Sequence, residues 1–101
     1  MSSFQLVIAE QALAEIEDAV EYYNSKANHL GERFSDAVFS LLEKIQDHPF
    51  LFRIRFQNIR EAVLHRFPFL ITYEIIDAQI IVLSVFHTKR NPANKVYKKD
   101  K

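Results

Sequence analysis

This chain of 101 residues predicts an α+β fold. Three observations lead there. The first half, after a short apolar opening, repeats its apolar residues with a helical period. The second half breaks into apolar, β-branched and aromatic segments separated by turn residues. The helical part also precedes most of the strands instead of alternating with them, which separates α+β from a doubly wound parallel fold. The expected order is β-α-α-β-β-β, with a helical hairpin on a meander of three to four antiparallel strands.

Phe4-Gln5-Leu6-Val7-Ile8 reads as the first strand. From Ala9 the period changes. Ala12, Leu13, Ile16, Val20 and Tyr23 fall on one face, with Glu10, Glu15, Glu17, Asp18 and Glu21 largely opposite, so a helix follows. It fades at Asn24-Ser25-Lys26-Ala27-Asn28, just before Gly31, the only glycine. A second helix turns Phe34, Ala37, Val38, Leu41, Leu42 and Ile45 inward and stops at Pro49. The proline pushes His48 out of the helical region. Such stripes are packing faces before they are cofactor sites.

Beyond Pro49 the pattern is β. Phe52-Arg53-Ile54-Arg55-Phe56 alternates, with both arginines on one face. Arg60–Phe67 is the next expected strand, then Phe69–Ile75, a turn near Asp77-Ala78, and Gln79–His87. Phe67, Phe69 and Tyr73 read as core. Residues 1–93 make one domain and 94–101 a Lys-rich tail. A domain this small buries a modest core, so a bound partner can add much of its stability. With 49% hydrophobic residues and nine phenylalanines, the composition is not that of a disordered chain.

Several classes are excluded at once. Without cysteine there is no disulfide framework and no Cys-based zinc site. The histidines lack metal-site spacing, so no metal and no cofactor is expected. A single glycine rules out a Gly-rich phosphate loop, and no serine sits in a nucleophile-elbow context. Neither a secretory leader nor a membrane span is apparent, which implies a cytoplasmic location.

The formal net charge of zero hides an asymmetry. Residues 1–49 carry three basic and nine acidic side chains, and residues 50–101 carry ten basic and four acidic. The halves therefore stand near −6 and +6. The second half offers a basic surface, or merely a solvated one.

The chemistry-bearing residues sit in that half. Arg60 opens a strand on which Arg60, Ala62, Leu64 and Arg66 share a face, and His87 ends the last strand, followed by Lys89 and Arg90. A meander can bring these groups to one side of the sheet, with Arg53 and Arg55 nearby. Arginine forks two phosphate oxygens at once, and histidine moves a proton near neutrality. Together they could cleave RNA without a metal. One group would activate the ribose 2′-OH, another would protonate the leaving oxygen, and arginines would hold the phosphate between them. The bland alternative is a strand-end histidine bonded to backbone and arginines that are surface charge. His65 reads as structural and His29 as solvated. Glu61 and Glu74 read as surface carboxylates before general bases.

Arg60, Phe67-Pro68-Phe69 with Ile71 and Tyr73, and then Val85, His87, Arg90 and Pro92 resemble the C-terminal signature of RelE/ParE toxins. The helical hairpin with Tyr22-Tyr23 and the closing Asp47-His48-Pro49 fit the same family. The resemblance covers residues 4 to about 92. It implies a small sheet backed by two N-terminal helices, a type II toxin, and a hetero-oligomer with a cognate antitoxin. The long paired helices and the Val85-x-His87-x-x-Arg90 ending look more ParE-like, which implies inhibition of DNA gyrase. The RelE-like alternative is a ribosome-dependent messenger-RNA endoribonuclease, with Arg60 and Arg90 as phosphate clamps and His87 as acid or base. A non-toxic interaction domain is the third possibility. Tyr97 stands isolated in the tail, and Ala93-Asn94-Lys95 follows where many members carry an aromatic. For either toxin, Arg53, Arg55, Arg66, Lys89 and Arg90 are the expected contacts to target or antitoxin.

Overall fold

The computed structural model describes residues 3–89. The order is β1 (Gln5–Ile8), α1 (Glu10–Lys26), α2 (Leu30–Asp47), β2 (Ile54–Phe56), β3 (Ile59–Val63), β4 (Phe69–Ile76) and β5 (Gln79–His87). The α+β class and the N-terminal helical pair are as the sequence predicts. Four strands follow the helices. All five form one sheet in the order β1-β5-β4-β3-β2.

That sheet is mixed. β2 to β5 pair antiparallel in sequence, but β1 lies parallel to β5, with Gln5 opposite Gln79 and Ile8 opposite Val82. A helical pair between β1 and the meander supplies the long connection that parallel pairing needs. β5 carries one extra residue, Leu83, opposite the step from Thr72 to Tyr73. Nearby, the Val85 N–H donates to Glu15 Oε1 of α1 at 2.8 Å, so a helix carboxylate ties the irregular strand to the helical layer.

The helices cover one face of the sheet. Ile16, Phe34, Val38, Leu42 and Ile45 pack on Ile71, Tyr73, Ile80, Val82 and Val85, all nearly or fully buried. Alanines 12 and 19 let α1 approach closely. Leu13, expected inward, is instead 44% exposed, because the buried stripe of α1 centres on Ala12, Ile16 and Ala19. At one end Tyr23, Phe34, Phe67 and Phe69 form a tight aromatic cluster, with ring centroids 4.8–6.2 Å apart.

The hairpin turn explains the lone glycine. His29 turns the chain with φ 64°, and Asn24 Oδ1 accepts the Gly31 N–H at 2.8 Å, satisfying a donor at the start of α2. A Cβ on Gly31 would stand 2.4 Å from the Val20 carbonyl oxygen. The two helices meet at that point through backbone.

Three expectations on the meander need correction. β3 ends at Val63, not Phe67, because the chain turns through residues 64–68 and Arg66 takes φ 75°. Arg66 is therefore a turn residue, not a partner of Arg60 on a strand face. β2 holds only Ile54–Phe56, shorter than the Phe52–Phe56 segment expected, with Ile54 55% exposed and Phe56 37%. An edge strand this short has no helix over it. Among the described residues, no helix is long and apolar enough to cross a membrane.

Candidate functional site

Two regions gather polar side chains, and they treat them differently. The first surrounds β2. Glu61 on β3 is 8% exposed, not the surface carboxylate expected. Arg53 Nε lies 3.1 Å from its Oε2 and Arg55 Nη1 2.6 Å from its Oε1. Arg53, just before β2, and Arg55, within it, both reach one carboxylate, so the trio keeps a single net positive charge.

Arg60 points to the other face. Its Nη1 donates to the carbonyls of Phe52 (2.6 Å) and Phe50 (3.3 Å), and its guanidinium lies 5.3 Å from the Phe50 ring centroid. Opposite Arg60 on β4 stands Tyr73. The fully buried Tyr73 donates its hydroxyl to the Pro49 carbonyl at 2.6 Å. Burial pushes its pKa up to about 12, against the opposing pull of Arg60. The loop from Pro49 to Phe52 is thus pinned to the sheet by two polar side chains.

The second region is a groove of about 640 Å³ between α2 and the β3–β4 turn. Its floor is apolar: Leu30, Ala37 and Leu41 from the helix, and Val63, Leu64 and Phe67 from the turn. Its rim carries Arg33, Lys44, His65 and Arg66, with Asp36 and Ser40. Positions 30, 33, 37, 41 and 44 recur along one helix face. Arg33 and Lys44 stand eleven residues apart, about 16 Å along the axis, with the small Ala37 and Ser40 between them. The turn opposite is held by backbone. The Leu64 N–H donates to the Phe69 carbonyl at 3.0 Å and the Thr88 N–H to the Pro68 carbonyl at 2.8 Å. Phe67 locks into the aromatic cluster 5.0 Å from Tyr23. Among the described residues no ion pair holds Arg33, Lys44 or Arg66.

His87 lies elsewhere again. It pairs with Phe69 across β4 and β5, its ring 5.3 Å from that phenyl, and its Nδ1 accepts the Lys89 N–H at 3.1 Å. The structure does not bring Arg60 and His87 together. Their partners on β4, Tyr73 and Phe69, are four residues apart, about 14 Å, and the two side chains belong to strands on opposite sides of β4. Lys89 is exposed beside His87, and Arg90 lies outside the described residues. No group of three or more histidine and carboxylate side chains capable of holding a metal occurs among the described residues.

The sequence matches the family model of the ParE toxin of type II toxin–antitoxin systems, parDE, over residues 6–92. The chain belongs to the ParE toxin family. Solved structures share the fold. The chromosomal ParDE system of P. aeruginosa superposes with a TM-score of 0.63 at 16% identity, covering 84% of this chain and 96% of that one. The intact E. coli RelBE complex gives 0.63 at 18%, covering 86% and 99%. A mutant E. coli RelE bound to an antitoxin RelBc peptide gives 0.57 at 19%, covering 98% and 95%. At these identities the likeness is one of fold. No curated protein matches the chain.

For a ParE-family toxin, the groove holds residues that sequence reasoning missed. Arg33 and Lys44 were not singled out, Ala37 and Leu41 read as core, and His65 as structural. The signal was present in α2: a stripe of small and apolar residues with a cation near each end is no ordinary packing face.

Proposed function

We propose that this ParE-family toxin acts by gripping a protein, DNA gyrase, and that a cognate antitoxin neutralises it through an acidic amphipathic segment seated in the α2 groove. The separation of Arg60 from His87 carries the first half of this reading. Metal-free RNA cleavage needs a proton-transfer group and a phosphate clamp within reach of one phosphodiester. Here the intended clamp bonds two backbone carbonyls some 14 Å along the sheet from the imidazole.

The groove supports the second half. Three fixed cations and one carboxylate line its rim over an apolar floor. An amphipathic helix of about three turns spans the distance from Arg33 to Lys44, laying apolar residues on Ala37 and Leu41 and acidic ones at the two ends. The solved RelE relative is complexed with an antitoxin peptide, so a peptide partner suits the fold.

The test is expression without antitoxin, followed by DNA synthesis, message integrity, and supercoiling by purified gyrase. Stalled DNA synthesis with intact messages and blocked supercoiling is the expected result. Cleaved messages with active gyrase would sink it. The paired reversal Arg33→Glu and Arg66→Glu is expected to weaken antitoxin capture by on the order of 100-fold, mostly through charge mismatch.

The RelE-like reading keeps one specific observation. The bond from the Lys89 N–H to Nδ1 holds the His87 ring at the end of β5, and once protonated to the imidazolium it could give a proton to a leaving oxygen and return to the neutral ring. On that reading Arg60 and Arg90 would clamp phosphate, and His87→Ala would abolish message cleavage.

A further inference from the structure

The loop after α2 presents large apolar side chains to solvent on a backbone held by several hydrogen bonds. Phe50 is 63% exposed and Leu51 74%, and Ile54 on β2 is 55% exposed. They are neighbours. The Arg60 guanidinium lies against the Phe50 ring, and Ile54 pairs with Arg60 across β2 and β3, on the same face. Scattered exposed apolar residues need no account, but a contiguous ledge does.

The ledge is also held rigid. Tyr73 grips the Pro49 carbonyl, Arg60 grips the carbonyls on both sides of Leu51, and the Leu51 N–H closes a turn onto the His48 carbonyl at 3.1 Å. Phe4 stacks edge-on to Phe50, centroids 6.0 Å apart. A buried tyrosine and a charged arginine are committed to fixing a loop that leaves Leu51 and much of Phe50 in solvent. A loop backbone fixed in advance loses little entropy on binding, which favours an anchor.

We infer that the Phe50–Leu51 ledge is the anchor by which the toxin grips its protein target, entering an apolar socket bordered by carboxylates. This rests on the reading of the chain as a toxin that binds a protein. Leu51 and Ile54 are aliphatic and the Arg60 guanidinium lies over the Phe50 ring, so the ledge offers little face for a base to stack on and nucleic acid is a poor occupant. The Arg60 guanidinium beside Phe50 is bonded to neutral carbonyls and keeps its charge, so it sets the sign of the border. A second copy seated on the ledge would set Arg60 against its own like charge. The ledge shares no residue with the groove, so target and antitoxin contacts are separable.

The test uses the full chain released from its antitoxin complex, comparing wild type, Leu51→Lys and Leu51→Ser. An exposed position makes misfolding improbable on physical grounds, and an unchanged Tm verifies it. A fall in growth arrest and in gyrase inhibition of about 30-fold or more, with antitoxin affinity unchanged, is expected, since an anchor counts for at least about 2 kcal/mol. Variants that arrest growth as wild type does would overturn the ledge. So would an equal loss of antitoxin affinity, or Leu51-dependent binding to anionic vesicles. Wild-type arrest without any effect on supercoiling would sink the gyrase assignment alone, and the variants would then test the ledge through growth arrest.

Discussion

The cations around β2 and those around the α2 groove are chemically alike and differ in what they are spent on. Arg53 and Arg55 share Glu61, and Arg60 is bonded to backbone carbonyls. Arg33, Lys44 and Arg66 line an open groove and hold no ion pair among the described residues. The excess of basic residues in the second half therefore overstates the charge available to a partner. Charge is usable where the fold has not already matched it, and two of the three free groove cations come from the acidic first half of the chain.

The difference can be broken most sharply at Arg60. Arg60→Ala removes two charge-assisted bonds and the cover of Phe50, so a loss of about 3 kcal/mol is expected, read as a lower urea midpoint. Arg60→Lys recovers little, since a point charge cannot reach both carbonyls as a fork does. Antitoxin affinity of the folded protein stays put. A loss of affinity with unchanged stability would mean that Arg60 belongs with the free cations instead.

Tyr73 supports the same loop, and its effect depends on pH. Its folded pKa is raised to about 12 from 10.0, so the folded state keeps a proton that the unfolded chain gives up. The stability this contributes is whole below pH 10 and is lost as pH rises toward 12. A rise of that size corresponds to about 3 kcal/mol across that window. Tyr73→Phe lowers stability near neutrality by about 2 kcal/mol, because the buried Pro49 carbonyl loses its donor. It should also flatten the decline between pH 10 and 12. Urea titrations of both proteins across that range check the point, and parallel curves would refute it.

Much of this was legible in the sequence. Period gave both helices, alternation gave β4 and β5, and Pro49 gave the end of α2. Glu61 was not legible, because its burial requires Arg53 and Arg55 to fold back from the preceding strand. The partition of the arginines was hidden for the same reason: a guanidinium bonded to a carbonyl and one open to solvent are the same letter. The parallel pairing of β1 was equally invisible, since β1 reads like any short apolar strand. The resemblance to the toxin family reached the fold, but the groove depended on where β3 stopped.

Glu61→Gln sharpens the contrast at lower cost. The amide keeps the shape but gives up the charge that holds both arginines. Arg53 is mostly exposed and its share is screened, so the loss falls mainly on the half-buried Arg55. About 1 kcal/mol is expected, and a double-mutant cycle with Arg55→Gln should return most of it as coupling. The released arginines would then join the free cations, and affinity for an acidic antitoxin peptide should rise slightly, more at low salt. A coupling energy near zero would mean that the trio contributes nothing to the fold.

The smallest effect is expected at Arg66, and its sign is opposite. A φ of 75° costs a side-chain-bearing residue about 1 kcal/mol. Glycine removes that cost but adds freedom to the unfolded chain, so Arg66→Gly should stabilise by only about 0.5 kcal/mol. Antitoxin affinity should meanwhile fall about tenfold, as a rim cation is lost from the groove. Calorimetry and a peptide titration on the same preparation measure both. Arg60→Ala would lose stability and keep affinity, whereas Arg66→Gly would keep stability and lose affinity. His29, Gln57 and Asp77 also take positive φ, so strain alone does not assign Arg66 a partner, and the affinity arm of this experiment decides whether its charge is used.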